Sequence, residues 1–145
     1  MDTIDRKILH ELRLNAKVTH AELADRVGLS VSSCQRRVKA LEEKGVITGY
    51  QAVINPEALS EGLVIIVGLT LESHTREALH DFQKALAKAP EVKEIYHLAG
   101  QFDFFAKVAV KDINAYEDFH LDTLATIPGL ERIHSFMVMS TLKGP

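Results

Sequence analysis

Residues 28–50 read GLSVSSCQRRVKALEEKGVITGY. Two adjacent arginines and two lysines fall within this stretch, in a chain whose formal net charge is −3. Val31, Cys34, Val38 and Leu41 recur at a 3-4-3 spacing, which places them on one face of a helix. Ser32, Ser33, Gln35, Arg36, Arg37 and Lys39 occupy the rest of its circumference. Ser30 is the expected N-cap. The helix is expected to end near Gly45, with Lys44 in a last turn that suits a cation.

Working back toward the N-terminus, Thr19 and Glu22 form a capping box for a preceding helix. Ala21, Leu23, Ala24 and Val27 are its expected buried side, and Gly28 its left-handed stop. Further back, Ile4, Ile8, Leu9 and Leu12 mark an amphipathic helix that Asp2 or Thr3 can cap. Three helices with the short turn Gly28-Leu29-Ser30 between the last two fit a helix-turn-helix. Its last helix enters the DNA major groove. On that reading the arginines meet phosphates or guanine edges, Gln35 can read adenine, and the serines can bond either. A polar face opposite an apolar stripe is also what any solvated surface helix shows, and Glu42 and Glu43 dilute the charge.

Charge divides the chain. Residues 1–50 hold nine Lys/Arg and seven Asp/Glu; residues 51–145 hold eight and thirteen. The mildly basic third and the acidic remainder point to two modules with different partners. A strand is expected over Val46–Ile54, followed by a polar joint at "PEALSEG", with Pro56 biasing Asn55 away from helix. The expected division is a helix-turn-helix over 1–47, a linker over 48–62 and a second domain over 63–145.

In that second domain "LVIIVGLTL" (63–71) reads as a strand with apolar residues on both faces. A helix is expected from Thr75 to Ala89, with Leu79, Phe82 and Leu86 inward and Pro90 as its stop. "VKEIYHLA" and "FDFFAKVAV" follow as a hairpin turning at Gly100-Gln101. Asp112 caps a second helix carrying Ile113, Tyr116, Phe119 or His120, Leu124 and Ile127, closed by Pro128-Gly129. "LERIHSFMVMSTLK" is the last strand. This β-α-β-β-α-β order predicts an α+β, ferredoxin-like domain with both helices on one face of a four-stranded antiparallel sheet. Phe102, Phe104, Phe105, Met137, Val138 and Met139 supply more apolar surface than one face hides. The excess predicts a homodimer formed sheet against sheet. A two-fold dimer presents two recognition helices about 34 Å apart, the spacing of successive DNA half-sites.

The stretches "DRKIL", "AELADRVGLS" and "RRVKALEEKGVITGY" resemble the DNA-binding half of the leucine-responsive regulator family, also called Lrp/AsnC or feast/famine regulators. The resemblance implies a transcription regulator. It also implies that Ser30, Ser32, Ser33, Gln35, Arg36, Arg37 and Lys39 face DNA at a pseudo-palindromic operator. It extends to the second domain, where it implies dimers that build octamers and a small-molecule site between dimers. The family's Gly-x-aromatic-Asp motif stands here as Gly100-Gln101-Phe102-Asp103. This implies an amino-acid effector held at Leu98, Ala99, Gly100, Gln101, Phe102 and Asp103, with backbone amides of the loop toward its carboxylate and Asp103 toward its ammonium. Turn chemistry alone also accounts for these residues. The family's Thr-x-Thr on the last strand is replaced by Ile133 and Ser135. With one hydroxyl lost, an apolar amino acid such as leucine or methionine is favoured.

Other chemistry finds no footing in the sequence. None of the seven histidines pairs at the i, i+4 helical spacing of a zinc site, so no metal is expected. Cys34 lies on an apolar stripe, as a small buried hydrophobe does. No phosphate loop or nucleophile elbow is present, so neither an enzyme nor a cofactor is expected. The single cysteine, the lack of an apolar leader and the lack of a spanning run predict a cytoplasmic protein. Two other readings stay open: a ligand-blind architectural DNA-binding regulator, and an amino-acid-binding regulatory subunit of an enzyme complex.

Overall fold

The computed structural model describes residues 1–144; Pro145 lies outside the described residues. The chain forms two compact units, one over residues 1–52 and the other beginning at Val53.

The first unit holds α1 (Thr3–Leu14), α2 (His20–Val27) and α3 (Val31–Glu43). Each begins at a side chain that accepts an otherwise orphaned amide. Asp2 and Asp5 form a reciprocal capping box on α1, and Thr19 and Glu22 do the same on α2. Ser30 accepts the Ser33 amide at the start of α3. Gly28 closes α2 with φ 73°, a conformation that costs a β-carbon dearly. Ile8, Leu23, Ala24, Val27, Cys34, Val38 and Leu41 make the core between the helices.

Two apolar positions depart from expectation. Val31 and Ala21 are exposed, because both lie in the first turn of their helices, beyond the neighbouring helix. The strand expected over Val46–Ile54 is also absent: among the described residues 48–55 run without ladder partners. β-branched composition favours extended backbone, but a strand needs a neighbour to bond with. Val46, Tyr50, Val53 and Ile54 are left exposed.

The second unit contains β1 (Leu63–Leu71), α4 (Arg76–Leu86), β2 (Val92–His97), β3 (Phe104–Val110), α5 (Ile113–Asp118) and β4 (Leu130–Met137), preceded by a short turn of helix at Pro56–Leu59. The sheet order is β2-β3-β1-β4, with every neighbouring pair antiparallel. This is the expected ferredoxin-like arrangement. α4 is capped by Thr75 and stops at Leu86, three residues before the expected Ala89. After α5 the backbone loosens over Phe119–Thr123 and tightens over Leu124–Thr126, so the expected single helix is three short pieces. Ile113, expected inward, is exposed in the first turn of α5.

Alternation divides the sheet into two faces. Ile65, Val67, Leu69 and Leu71 from β1 and Phe104, Ala106, Val108 and Val110 from β3 pack beneath the helices. There they meet Phe82, Leu86, Tyr116, Phe119 and Leu124. Val64, Ile66, Gly68, Phe105, Lys107, His134 and Phe136 fall on the opposite face by the same registers. The hairpin tip is longer than expected. Leu98–Asp103 is a six-residue connection rather than a two-residue turn, closed by the Leu98 amide donating to the Asp103 carbonyl at 2.8 Å.

Candidate nucleic-acid interface and effector loop

The buried stripe of Cys34, Val38 and Leu41 fixes the rotation of α3 about its axis. Ser32, Gln35, Arg36 and Lys39 are consequently exposed, and Ser30 is exposed at the helix start. Among the described residues no side chain pairs with Arg36 or Gln35. Lys39 is engaged only by Glu43 one turn on, at 3.7 Å, between two largely exposed groups. That pair is too weak to hold the ammonium against a competing anion. Ser33 is half-buried and gives its amide to the Ser30 hydroxyl.

Arg37 is placed differently from its expected outward position. Its Nη1 donates to Asp2 Oδ2 and to Asp5 Oδ1, both at 2.8 Å. The guanidinium thus ties α3 to the first turn of α1. Amide bonds within the capping box, and then the Arg37 bonds, hold the two aspartates below their ordinary pKa. The two carboxylates raise Arg37 in turn. Beyond the end of α3, the Tyr50 hydroxyl donates to Glu42 Oε1 at 2.7 Å. Partial desolvation, then this bond, pushes the Tyr50 phenol up to about 12, so it remains a donor at neutral pH. Cys34 is fully buried in the head's core, and burial raises its thiol pKa, as for an inert packing residue.

In the second unit the Leu98–Asp103 connection is pinned at one end. The Asp103 amide donates to the Leu69 carbonyl at 2.9 Å. Its Oδ2 accepts the Leu71 amide at 2.7 Å and lies 3.0 Å from His74 Nε2. Among the described residues, the amides of Ala99, Gly100, Gln101 and Phe102 have no acceptor within the chain. Phe102 lies on the open face of the sheet, directly over Gly68. A β-carbon on Gly68 would sit 2.9 Å from the ring. The same ring meets Phe105 and His134 with centroids 5.4 and 5.2 Å away.

Ile133 and Ser135 are not brought to the side that Phe102 occupies. They pair with Leu69 and Val67 and share the helix-covered face. Ser135 Oγ lies 2.5 Å from the Tyr116 hydroxyl of α5, whose pKa burial raises. The side chains expected together in one pocket therefore divide between two faces of the sheet. His74, Gly68 and Tyr116 were not singled out as site residues in the sequence. Their partners lie 29, 34 and 19 positions away, and no local pattern announces such contacts. Among the described residues no group of three or more His, Cys, Asp or Glu is placed to hold a metal. No described helix is long and apolar enough to cross a membrane.

A capped recognition-type helix and a βαββαβ unit bearing a loop of free amides define a two-module DNA-binding protein with a ligand-binding domain. The comparisons agree in both halves. A family model for the Lrp/AsnC ligand binding domain matches residues 64–144, and one for a winged helix-turn-helix DNA-binding domain matches residues 1–48. The leucine-responsive regulatory protein of Escherichia coli K12 is 36% identical over 143 residues, covering 99% of this chain and 87% of its own length. Its counterpart in Haemophilus influenzae is 38% identical over 143 residues, covering 99% and 86%. A transcriptional regulator of Neisseria meningitidis solved in complex with L-Met superposes with a TM-score of 0.94 at 35% identity, covering 99% of this chain and 93% of the other. Escherichia coli AsnC superposes at 0.85 and 29% identity, covering 100% and 96%. This chain belongs to the Lrp/AsnC family of DNA-binding transcription regulators.

Proposed function

We propose that the chain acts in the cytoplasm as a homodimer, assembled further into a closed particle such as an octamer. Its α3 helices occupy successive major grooves of a pseudo-palindromic operator. The observation that carries this reading is the outer face of α3: Ser30, Ser32, Gln35, Arg36 and Lys39 stand free or nearly so on a helix whose rotation the core fixes. Arg36 and Lys39 neutralise phosphates, Gln35 and the serines read base edges, and Arg37 braces α3 from behind. Ser33 is half-buried, and its amide rather than its hydroxyl is engaged at the helix start, so its hydroxyl is a lesser contributor to base contact. No catalytic role is assigned to any residue.

The effector in this reading is a small amino acid with an apolar side chain, leucine- or methionine-like. The free amides of Ala99–Phe102 suit its carboxylate and Asp103 suits its ammonium. The L-Met complex of the meningococcal neighbour supports that class. An amino acid that binds one assembly state better than another shifts operator affinity. A tenfold change requires about 1.4 kcal/mol of differential binding.

The test is fluorescence anisotropy on a duplex selected from a random-sequence pool, with each amino acid added in turn. Affinity is expected to fall steeply between about 50 and 200 mM salt. Lys39→Ala is expected to lower the salt slope by about one, and L-Met or L-Leu to shift the midpoint. Unchanged affinity on Arg36→Ala would remove α3 from the interface. A midpoint that no amino acid moves would favour the ligand-blind regulator.

A further inference from the structure

We propose that His74 is a positioning residue of the effector site. It holds one oxygen of Asp103 so that the other is presented to the ammonium of an α-amino acid. The proposal rests on the reading of the Leu98–Asp103 loop as an amino-acid site.

The two oxygens of Asp103 are not equivalent. Oδ2 accepts from the Leu71 amide at 2.7 Å and lies 3.0 Å from His74 Nε2. Among the described residues nothing donates to Oδ1. An ammonium carries donors only, so it takes the carboxylate oxygen whose lone pairs are still open. The Leu71 amide is fixed by the strand it ends. A single bond to it leaves the carboxylate free to rotate about that oxygen, and the second bond, from His74, sets the plane. With the Nε2 proton in place, the imidazole donates to Oδ2 and leaves Oδ1 open.

Nothing else in the fold calls for an imidazole at this position. His74 is 63% exposed, while the Asp103 side chain is 18% exposed. The histidine belongs to neither hydrophobic core and stacks on no described ring. It lies just before Thr75, which caps α4, so it reaches Asp103 from a segment independent of the loop. The recognised ligand class is therefore an amino acid with a free α-ammonium, and its orientation is set from outside the loop that binds its carboxylate.

The experiment is calorimetric titration of L-Met, followed by the other amino acids, into the full-length protein and three variants. Their unliganded melting temperatures serve as the check on folding. His74→Ala is expected to weaken binding about tenfold, the worth of one hydrogen bond to a charged group. His74→Gln, whose amide can donate to the same oxygen, is expected to restore most of that affinity. His74→Lys is expected to bind more weakly than the alanine variant, because its ammonium competes for Asp103. Equal affinity in wild type and His74→Ala overturns the proposal, as does a glutamine variant no better than alanine. A lysine variant that restores binding overturns it too, since a cation held on Asp103 would then not compete with the ammonium of the ligand. Wild-type protein that binds none of the amino acids overturns the reading of the loop itself, and the role of His74 with it.

Discussion

Each helix start in residues 1–52 is set by a bond between residues three apart: Asp2 with Asp5, Thr19 with Glu22, Ser30 with Ser33. In the unit from Val53 the defining contacts reach across the sequence. Leu63 pairs with Val110, Asp103 accepts from Leu71, and Tyr116 meets Ser135. The head is specified by neighbours along the chain, and the sheet domain by partners that must first be brought together. Local specification makes a rigid element cheaply. Non-local specification converges residues from several strands on one place, which is what a ligand site needs.

The sharpest way to break this comparison is to remove a non-local anchor. Phe104 is buried on β3, stacked on Phe82 of α4 with centroids 5.6 Å apart and on His97 of β2 at 5.0 Å. Phe104→Ala is expected to destabilise the sheet domain by about 3–5 kcal/mol. Calorimetric melting is expected to show its transition moving down while the transition of the helical head stays. A common shift of both would mean that the two units unfold as one.

A smaller perturbation aims at the loop. Gly68→Ala places a methyl 2.9 Å from the Phe102 ring, so the ring must leave the sheet or the strand must bend. The expected cost is about 1–3 kcal/mol. Phe102→Ala added to it is expected to relieve the clash, so the two changes together should cost less than their sum. Strict additivity in melting would show that Phe102 does not rest on Gly68 in solution.

What the sequence made legible follows the same division. The caps at Thr19 and Ser30, the stop at Gly28 and the burial of Cys34, Val38 and Leu41 on α3 depend on spacing alone, and the structure has these. The misplaced apolar residues, Ala21, Val31 and Ile113, share a cause: each lies in the first turn of its helix. Periodicity gives a residue's direction around the axis but not how far the partner extends along it. The division of Ile133 and Ser135 from Phe102 was hidden because it depends on sheet register and face. The register also slips between Thr70 and Leu71, next to the site. The strand expected over Val46–Ile54 illustrates the complementary error. Its composition favours extended backbone, but no sequence pattern states whether a pairing edge is available.

The smallest expected effect concerns a contact that ties the local region together over distance, Arg37 with Asp2 and Asp5 across more than thirty residues. Asp2 is half-exposed and Arg37 keeps 32% of its side chain open to solvent, so the stabilisation is partly screened and salt-sensitive. Its sign is nevertheless fixed. Both aspartates have folded pKa values below the ordinary 3.8, first through the capping amides and then through Arg37. A carboxylate depressed in the folded state stabilises fully above its unfolded value, and that contribution is lost as pH falls through the lowered one. The head's melting temperature is therefore expected to drop as pH is taken below about 4 at low salt. Arg37→Gln should make that drop shallower without abolishing it, because the capping amides remain. An acid profile identical in wild type and variant would mean that the clamp does not form in solution. The guanidinium would then stand free on α3 beside Arg36, and the outer surface of that helix would gain the charge that the clamp otherwise withholds.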